Sequence, residues 1–197
     1  MTGPAAASAG VAGVASRLMP SDPPVKISVF VGASVDGFIA RPNDDLDFLD
    51  EGGGEPHGYE EFMAEVDTLV IGRKTYEKVL TFGAWPYGTK RVVVLSSRPI
   101  AQPKGGRVEH MSGEPAEIVA RLAATGAAHV YLDGGITIQR FLRAGLVDRL
   151  VVTRVPVLLG EGIPLFGALP HDVLLRHVGT RSYPSGLVQS EYEVRRT

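Results

Sequence analysis

The sequence predicts an α/β protein with a mainly parallel, mixed sheet that ends in an antiparallel hairpin. Two observations carry this. From Val25 to about Leu146, apolar runs of strand length alternate with amphipathic runs of helix length, the pattern of parallel strands joined by crossover helices. After Leu146 strand-like runs dominate, and Leu187 to Val194 alternates in period two.

Residues 1–24 stand apart. Met1 to Ala15 is mostly Ala, Gly and Ser, and Pro20-Ser21-Asp22-Pro23-Pro24 follows. The first basic residue, Arg17, comes after the apolar part, and the middle lacks the leucines of a secretory signal. The composition predicts a disordered tail over 1–24 and a single domain over 25–197.

Val25 to Val31 reads as the first strand. Tyr59 to Val66 reads as a helix, with Phe62 and Val66 one turn apart. Thr68 to Ile71 is a strand that stops at Gly72, and Thr75 to Leu80 a short helix. Arg91 to Leu95, with three consecutive valines, is a strand buried on both faces. Pro115 to Ala124 places Ile118, Val119 and Leu122 on one helix face. His129 to Leu132 is a strand, Thr137 to Ala144 a helix and Arg149 to Val157 a strand. Asp172 to Val178 and Leu187 to Val194 form the late hairpin.

Composition excludes several functions. The chain has 197 residues, 44% of them hydrophobic, and a formal net charge of −2. Lys and Arg are scattered, so the electrostatic footprint of a nucleic-acid binder is missing. No apolar run approaches the ~18 residues of a membrane span. There is no cysteine, which removes disulfides and thiolate chemistry. The histidines (His57, His110, His129, His171 and His177) include no pair at the i, i+4 spacing of a helical metal site, and no metal is expected.

In a parallel sheet, ligands bind beyond the carboxyl ends of the strands, so each strand end matters. His129-Val130-Tyr131-Leu132-Asp133-Gly134-Gly135-Ile136 is a buried strand, a glycine turn and a helix start. Such a turn lets backbone N–H groups approach a phosphate with no Cβ in the way, at the positive end of a helix dipole. Gly72-Arg73-Lys74-Thr75 places two cations at another helix start, where the dipole alone disfavours them and an anion would hold them. Leu95-Ser96-Ser97-Arg98-Pro99 offers hydroxyls and a guanidinium, or else a capped turn. Three such ends in one sheet fit an extended, polyphosphorylated ligand. The first strand ends at Asp36-Gly37, where Asp36 suits turn chemistry.

These segments together resemble the dihydrofolate reductase superfamily. Gly72-Arg73-Lys74-Thr75-Tyr76 resembles its cofactor-phosphate segment, Leu95-Ser96-Ser97-Arg98-Pro99 its adenosine 2′-phosphate segment, and Gly134-Gly135 its paired glycines under the pyrophosphate. Ser34-Val35-Asp36-Gly37-Phe38-Ile39-Ala40 and Leu159-Gly160-Glu161-Gly162-Ile163-Pro164-Leu165-Phe166 look like the reductase (C-terminal) domain of bifunctional riboflavin-biosynthesis deaminase/reductases. The resemblance covers Val25 to about Val194.

The resemblance implies a three-layer α/β/α fold that binds NADPH and transfers hydride to a C=N or C=O bond of a small heterocycle, pterin- or ribosylaminopyrimidine-like. Gly72, Arg73, Lys74 and Thr75, with Leu95, Ser96, Ser97 and Arg98, would hold the adenine-side phosphates. Asp133, Gly134, Gly135, Ile136 and Thr137 would carry the pyrophosphate. Gly32, Ala33, Ile39 and Ala40 would line the nicotinamide. Arg73 and Arg98 favour the 2′-phosphorylated dinucleotide over NAD, because a dianion rewards a guanidinium fork. The resemblance further implies a cytoplasmic homodimer formed through the last strands.

The chain departs from dihydrofolate reductases where they carry a pterin-gripping acid. Here Asp45-Leu46-Asp47-Phe48-Leu49-Asp50-Glu51 precedes a glycine run, and no single carboxylate matches that role. It also lacks the cysteines and zinc motif of a fused deaminase. Asp47 is the leading proton donor, with a pKa raised in an apolar pocket, and Phe48 the ring that stacks on substrate. Glu61 is the second candidate acid, and Asp36 lies on the substrate side. Alternative readings are a riboflavin-pathway 5-amino-6-(5-phosphoribosylamino)uracil reductase proper, a true dihydrofolate reductase, and a nucleotide-binding protein without turnover.

Overall fold

A run such as Arg91-Val92-Val93-Val94-Leu95 has no polar face to give to water, so it folds where both faces of a sheet are covered. The computed structural model, which describes residues 25–52 and 56–195, places such runs on interior strands of the sheet, each flanked on both sides. The expected disordered tail lies outside the described residues. The chain runs β1 (Lys26–Ser34), β2 (Phe38–Ala40), α1 (Tyr59–Glu65), β3 (Thr68–Gly72), α2 (Arg73–Val79), β4 (Arg91–Leu95), β5 (Val108–Met111), α3 (Pro115–Ala124), β6 (His129–Asp133), α4 (Gly135–Arg143), β7 (Arg149–Val155), β8 (Ile163–Pro164), β9 (Leu175–Ser182) and β10 (Val188–Val194). Short 3₁₀ turns occupy Asp47–Gly52 and Leu80–Phe82.

Eight strands form one sheet in the order β5-β4-β3-β6-β1-β7-β10-β9. The pairings from β5 to β7 are parallel, and β10 runs antiparallel to both β7 and β9. The expected parallel sheet with a terminal antiparallel hairpin is what forms. Alternation sends the side chains of each strand to two different cores. On one face Val29, Val70, Val93 and Val130 meet Ile118 and Leu122 of α3 and Ile138 and Phe141 of α4. On the other, Phe30, Leu69, Ile71 and Tyr131 meet Phe62 of α1 and Tyr76 and Val79 of α2. This is a three-layer α/β/α arrangement.

Most boundaries follow local chemistry. Pro115 opens α3 at a position that needs no N–H. Glu114 and Glu117 form a reciprocal capping box, and Gly126 turns the chain out with φ 87°. One expectation shifts, and three strands appear that the sequence pattern did not single out. The late strand moves from Asp172–Val178 to Leu175–Ser182, because ladder pairing with β10 decides its position rather than its apolar start. β5 has little apolar pattern of its own (only Val108 and Met111 are buried), and the side-chain amide of Gln102 completes its edge by bonding both N–H and C=O of Val108 at 3.1 Å. β2 and β8 form a separate two-stranded sheet across a long stretch of sequence. Gly32, Gly72, Leu95 and Asp133, at or near the carboxyl ends of β1, β3, β4 and β6, open onto one cleft.

Candidate active site

The cleft has a volume of about 600 Å³. Two helix starts form one wall, and they lock together reciprocally. Gly72 is the N-cap of α2 and Gly134 that of α4. A Cβ on Gly72 would stand 2.7 Å from Thr137 Oγ1, three residues into α4. A Cβ on Gly134 would stand 2.5 Å from Thr75 Oγ1, three residues into α2. Gly134 also holds φ 96°, a conformation that favours glycine. The third glycine, Gly135, admits the tip of Ile39, whose Cδ1 lies 2.8 Å from its Cβ position. No side chain caps the first turn of α4, so that turn presents backbone donors at the positive end of its dipole.

Ile39 arrives through a brace that ties two distant segments together. The Asp36 carboxylate accepts the N–H of Leu159 at 3.1 Å, the N–H of Gly160 at 2.8 Å and the hydroxyl of Ser34 at 2.6 Å. These bonds, that of Ser34 first, hold its pKa below the ordinary value. Leu165 N donates to Gly37 O, and Gly162 packs on Phe38 and Ala40. Asp36 is therefore a structural clamp, outside the cleft lining, and its placement on the substrate side is corrected. Turn chemistry claims the whole carboxylate.

The floor is aromatic and holds one acid. Phe30, Tyr87, Tyr131 and Asp133 line it. Alternation along β6 puts Tyr131 and Asp133 on the same face. Burial pushes the Asp133 carboxyl above the ordinary carboxylate value, and the N–H of Gly134, donated to Asp133 Oδ1 at 2.7 Å, opposes this in part. Burial, then Asp133, also raises the phenols of Tyr59, to about 12, and of Tyr87. Tyr131 donates its hydroxyl to Phe30 O at 2.9 Å. A carboxyl in this setting keeps its proton to higher pH than a surface acid does.

The mouth is charged. Arg73, Lys74, Lys78 and Arg140 reach the cleft from α2 and α4, and Asp44, Leu46 and Leu49 from the loop that follows β2. Lys74 lies 3.7 Å from Asp44, Lys78 lies 3.5 Å from Asp45, and Arg73 pairs with Glu77 at 2.5 Å. All three pairs are at least about a third exposed, and such pairs contribute at most about 1 kcal/mol. A phosphate can exchange into them.

The sequence-predicted residues divide as follows. Gly32, Ile39, Ala40, Gly72, Arg73, Lys74, Thr75, Leu95, Asp133, Gly134, Gly135, Ile136 and Thr137 all line the one cleft. Ala33, 2% exposed, belongs to the core on the opposite face of β1. Ser96 Oγ is committed to its own turn, donating to Arg98 O at 2.7 Å and accepting Arg98 N at 3.0 Å. Ser97 and Arg98 are exposed beyond the cleft lining, two and three residues past Leu95, which pairs with Gly72.

The expected acids do not meet there. Both oxygens of Asp47 are held by Arg41, at 2.5 and 2.9 Å, and the carboxyl sits on the surface. The Arg41 bond pulls its pKa below the usual value, opposite to what a proton donor needs. Phe48 is 2% exposed and packs with Val155 and Leu187, so its ring has no free face. Glu61 is exposed on α1, away from the cleft. All three roles are corrected. Sequence reading placed Asp133 among the phosphate contacts rather than as a cleft acid of raised pKa, took Trp85-Pro86-Tyr87 as a turn covering the sheet edge, and did not single out Tyr131, Phe30 and Phe82 as lining. The available signal was the Tyr-Leu-Asp alternation in a buried strand, which turns a carboxylate inward.

Among the described residues no three His, Cys, Asp or Glu side chains gather as a metal site, and no helix is long and apolar enough to cross a membrane. The residues present suit a dinucleotide: the cleft joins an uncapped helix start, a glycine cradle that a Cβ would fill, and exchangeable cations.

Comparison with known proteins agrees with this architecture. YwjB of Bacillus subtilis (strain 168) is 34% identical over 162 residues, covering 80% of this chain and 92% of YwjB. A crystal structure of a protein from Shewanella sp. PV-4 named for riboflavin biosynthesis is 37% identical, with a TM-score of 0.81 over 87% of this chain and all of that one. Dihydrofolate reductase from Enterococcus faecalis, solved with NADP(H) and RAB-propyl, shares the fold. Its TM-score is 0.58 at 22% identity, over 86% of this chain and 94% of that one. The model of the RibD C-terminal domain matches residues 25–189, and the chain belongs to that reductase-like family with a dihydrofolate-reductase-like fold.

Proposed function

We propose that this protein is an NADPH-dependent reductase that adds hydride and a proton across a C=N or C=O bond of a small heterocycle, pterin- or ribosylaminopyrimidine-like. One observation carries the reading. A half-buried carboxyl with a raised pKa shares a cleft with a glycine-opened helix start and four cations. Bound NADPH would supply the hydride.

The chain's own residues divide the remaining work. The first turn of α4, from Gly135 to Thr137, would bind the pyrophosphate through its backbone. Arg73 and Lys74 would exchange their partners Glu77 and Asp44 for phosphate oxygens, with Ser97 and Arg98 one strand away for the 2′-phosphate. Gly32, Ile39 and Ala40 would bound the nicotinamide. Asp133 would hold the proton on the oxygen not bonded to Gly134, and give it to the substrate nitrogen or oxygen as hydride arrives at carbon. Phe30, Tyr131 and Leu49 would exclude water.

A true dihydrofolate reductase is disfavoured, since none of the α1 acids, Glu60, Glu61 and Glu65, reaches the cleft. A binding protein without turnover would take NADPH and oxidise it with none of these substrates. The last strands support a symmetric dimer: β9 is exposed on both faces for most of its length, with Leu175 and Val178 open. Activity tests the reading directly. NADPH oxidation across oxo-pyrimidines and pterins is expected for at least one substrate and lost in Asp133→Asn. Oxidation that Asp133→Asn leaves unchanged overturns it.

A further inference from the structure

The turn Trp85-Pro86-Tyr87 takes no part in gripping the cofactor, yet it is built with care. The Tyr87 ring stands edge-on to Trp85, with centroids 5.1 Å apart at 88°. Trp85 in turn meets Tyr76 at 6.4 Å and fills the space over Gly106, where a Cβ would stand 2.6 Å from the indole. These contacts fix Tyr87 in one position. It is 7% exposed, and the cleft is where it opens.

Its hydroxyl differs from that of its neighbour. Tyr131 is committed to Phe30 O. Tyr87 accepts Lys90 N–H through its backbone carbonyl at 3.0 Å, but among the described residues its hydroxyl has no hydrogen-bond partner, and that oxygen is not among the sealed, unpartnered polar atoms. It therefore faces the cleft as an available donor. Asp133 lies within electrostatic reach on the same floor.

We propose that Tyr87 is a specificity-determining residue: its hydroxyl and the carboxyl of Asp133 converge as two O–H donors on a carbonyl oxygen of a flat heterocyclic substrate, selecting an oxo ring over its amino counterpart. The chemistry is one of complementarity. A carbonyl oxygen has two lone pairs and accepts both donors. An amino group at that position turns N–H toward O–H and leaves a half-buried donor unpaired, which is the larger penalty in such sites. The inference rests on the reductase reading and names the substrate class for that same cleft.

The test uses 6-aminouracil and 2,4,6-triaminopyrimidine, which share the 6-amino ring and differ in amino for oxo at two positions, with the ring N–H groups replaced by bare ring nitrogens; the Tyr87→Phe comparison isolates the contribution of the hydroxyl. Each is titrated calorimetrically into the NADP⁺-loaded protein, or into the free protein if NADP⁺ does not bind. Wild type is expected to bind 6-aminouracil at least about tenfold more tightly. Tyr87→Phe keeps the ring and its packing, and is expected to reduce that ratio below about threefold while NADP⁺ affinity stays within about twofold. The inference is overturned by a wild-type ratio below threefold, by no binding of either pyrimidine, by an unchanged ratio in Tyr87→Phe, or by parallel loss of both pyrimidines and NADP⁺. Failure of NADP⁺ to bind counts against the reductase reading. Intact NADP⁺ binding with a failed ratio counts against Tyr87 alone.

Discussion

Thr75 and Gly134 touch so closely that a Cβ on the glycine would stand 2.5 Å from the threonine Oγ1. The contact is mirrored by Gly72 and Thr137 at 2.7 Å, so the two helix starts are keyed into each other. The keys differ in kind. Gly134 sits at φ 96° and Gly72 at −73°. Gly72→Ala meets a steric obstacle alone, and an overpacked site of this sort costs about 1–3 kcal/mol. Removing the obstacle with Thr137→Ala is expected to recover most of that loss in the double variant. Gly134→Ala adds backbone strain of about 1–3 kcal/mol to its clash, so Thr75→Ala rescues it only in part. Urea unfolding of the singles and doubles measures both cycles.

Asp133 sets a pH dependence. Burial raises its folded pKa above the ordinary carboxylate value of 3.8. The stability it contributes is complete below the unfolded pKa and is lost as pH rises through the folded one. Asp133→Asn cannot ionise, so its melting temperature is expected to equal or exceed that of wild type at pH 8. Its turnover is expected to fall about 100-fold or more, the usual contribution of a positioned acid. Wild-type turnover is expected to decline with rising pH through the same ionisation. Asp47→Asn and Glu61→Gln are expected to stay within about twofold of wild type.

His129 acts in the opposite direction. It lies at the far end of the sheet, with Nε2 2.8 Å from Ser28 Oγ and Nδ1 3.1 Å from Glu65 O. A carbonyl accepts only, so Nδ1 carries the proton and Nε2 accepts from Ser28 in a neutral ring. Burial, aided by Lys26, lowers its pKa from 6.5. The unfolded chain therefore binds a proton first as pH falls, and stability decreases below about pH 6.5 until the folded pKa is reached. Melting curves of wild type and His129→Gln between pH 7.5 and 5 are expected to converge toward acid. Parallel curves would contradict the assignment.

The exposed edge strand carries its own expectation. Leu174, Leu175 and Val178 are 52%, 40% and 45% exposed on or beside β9, more apolar surface than a lone edge strand usually leaves open. Sedimentation is expected to give twice the 21.0 kDa of the chain. Val178→Lys is expected to shift that mass to a single chain without lowering the β-sheet signal.

The fold was legible because its signals are local and repeated. Val92-Val93-Val94 can only be a buried strand, and Pro115 with Glu117 marks a helix start without tertiary help. The glycines at 72 and 134–135 were legible for the same reason. The acid was not. Asp47 and Asp133 look alike in sequence, and the difference is Arg41 beside one and a wall of aromatic rings around the other. Phe48 illustrates the same limit: whether a ring meets substrate or Val155 and Leu187 depends on contacts more than a hundred residues away. The brace from Asp36 to Gly160 was visible only as two separate turns.

The central claim is that this one cleft takes a phosphorylated nicotinamide dinucleotide. Isothermal titration of the folded protein with NADPH and NADH tests it most directly. One NADPH site per chain is expected, at least about tenfold tighter than NADH, with Arg73→Ala narrowing the gap by weakening NADPH. Absence of heat with either coenzyme, from protein whose melting curve shows it folded, would contradict the account.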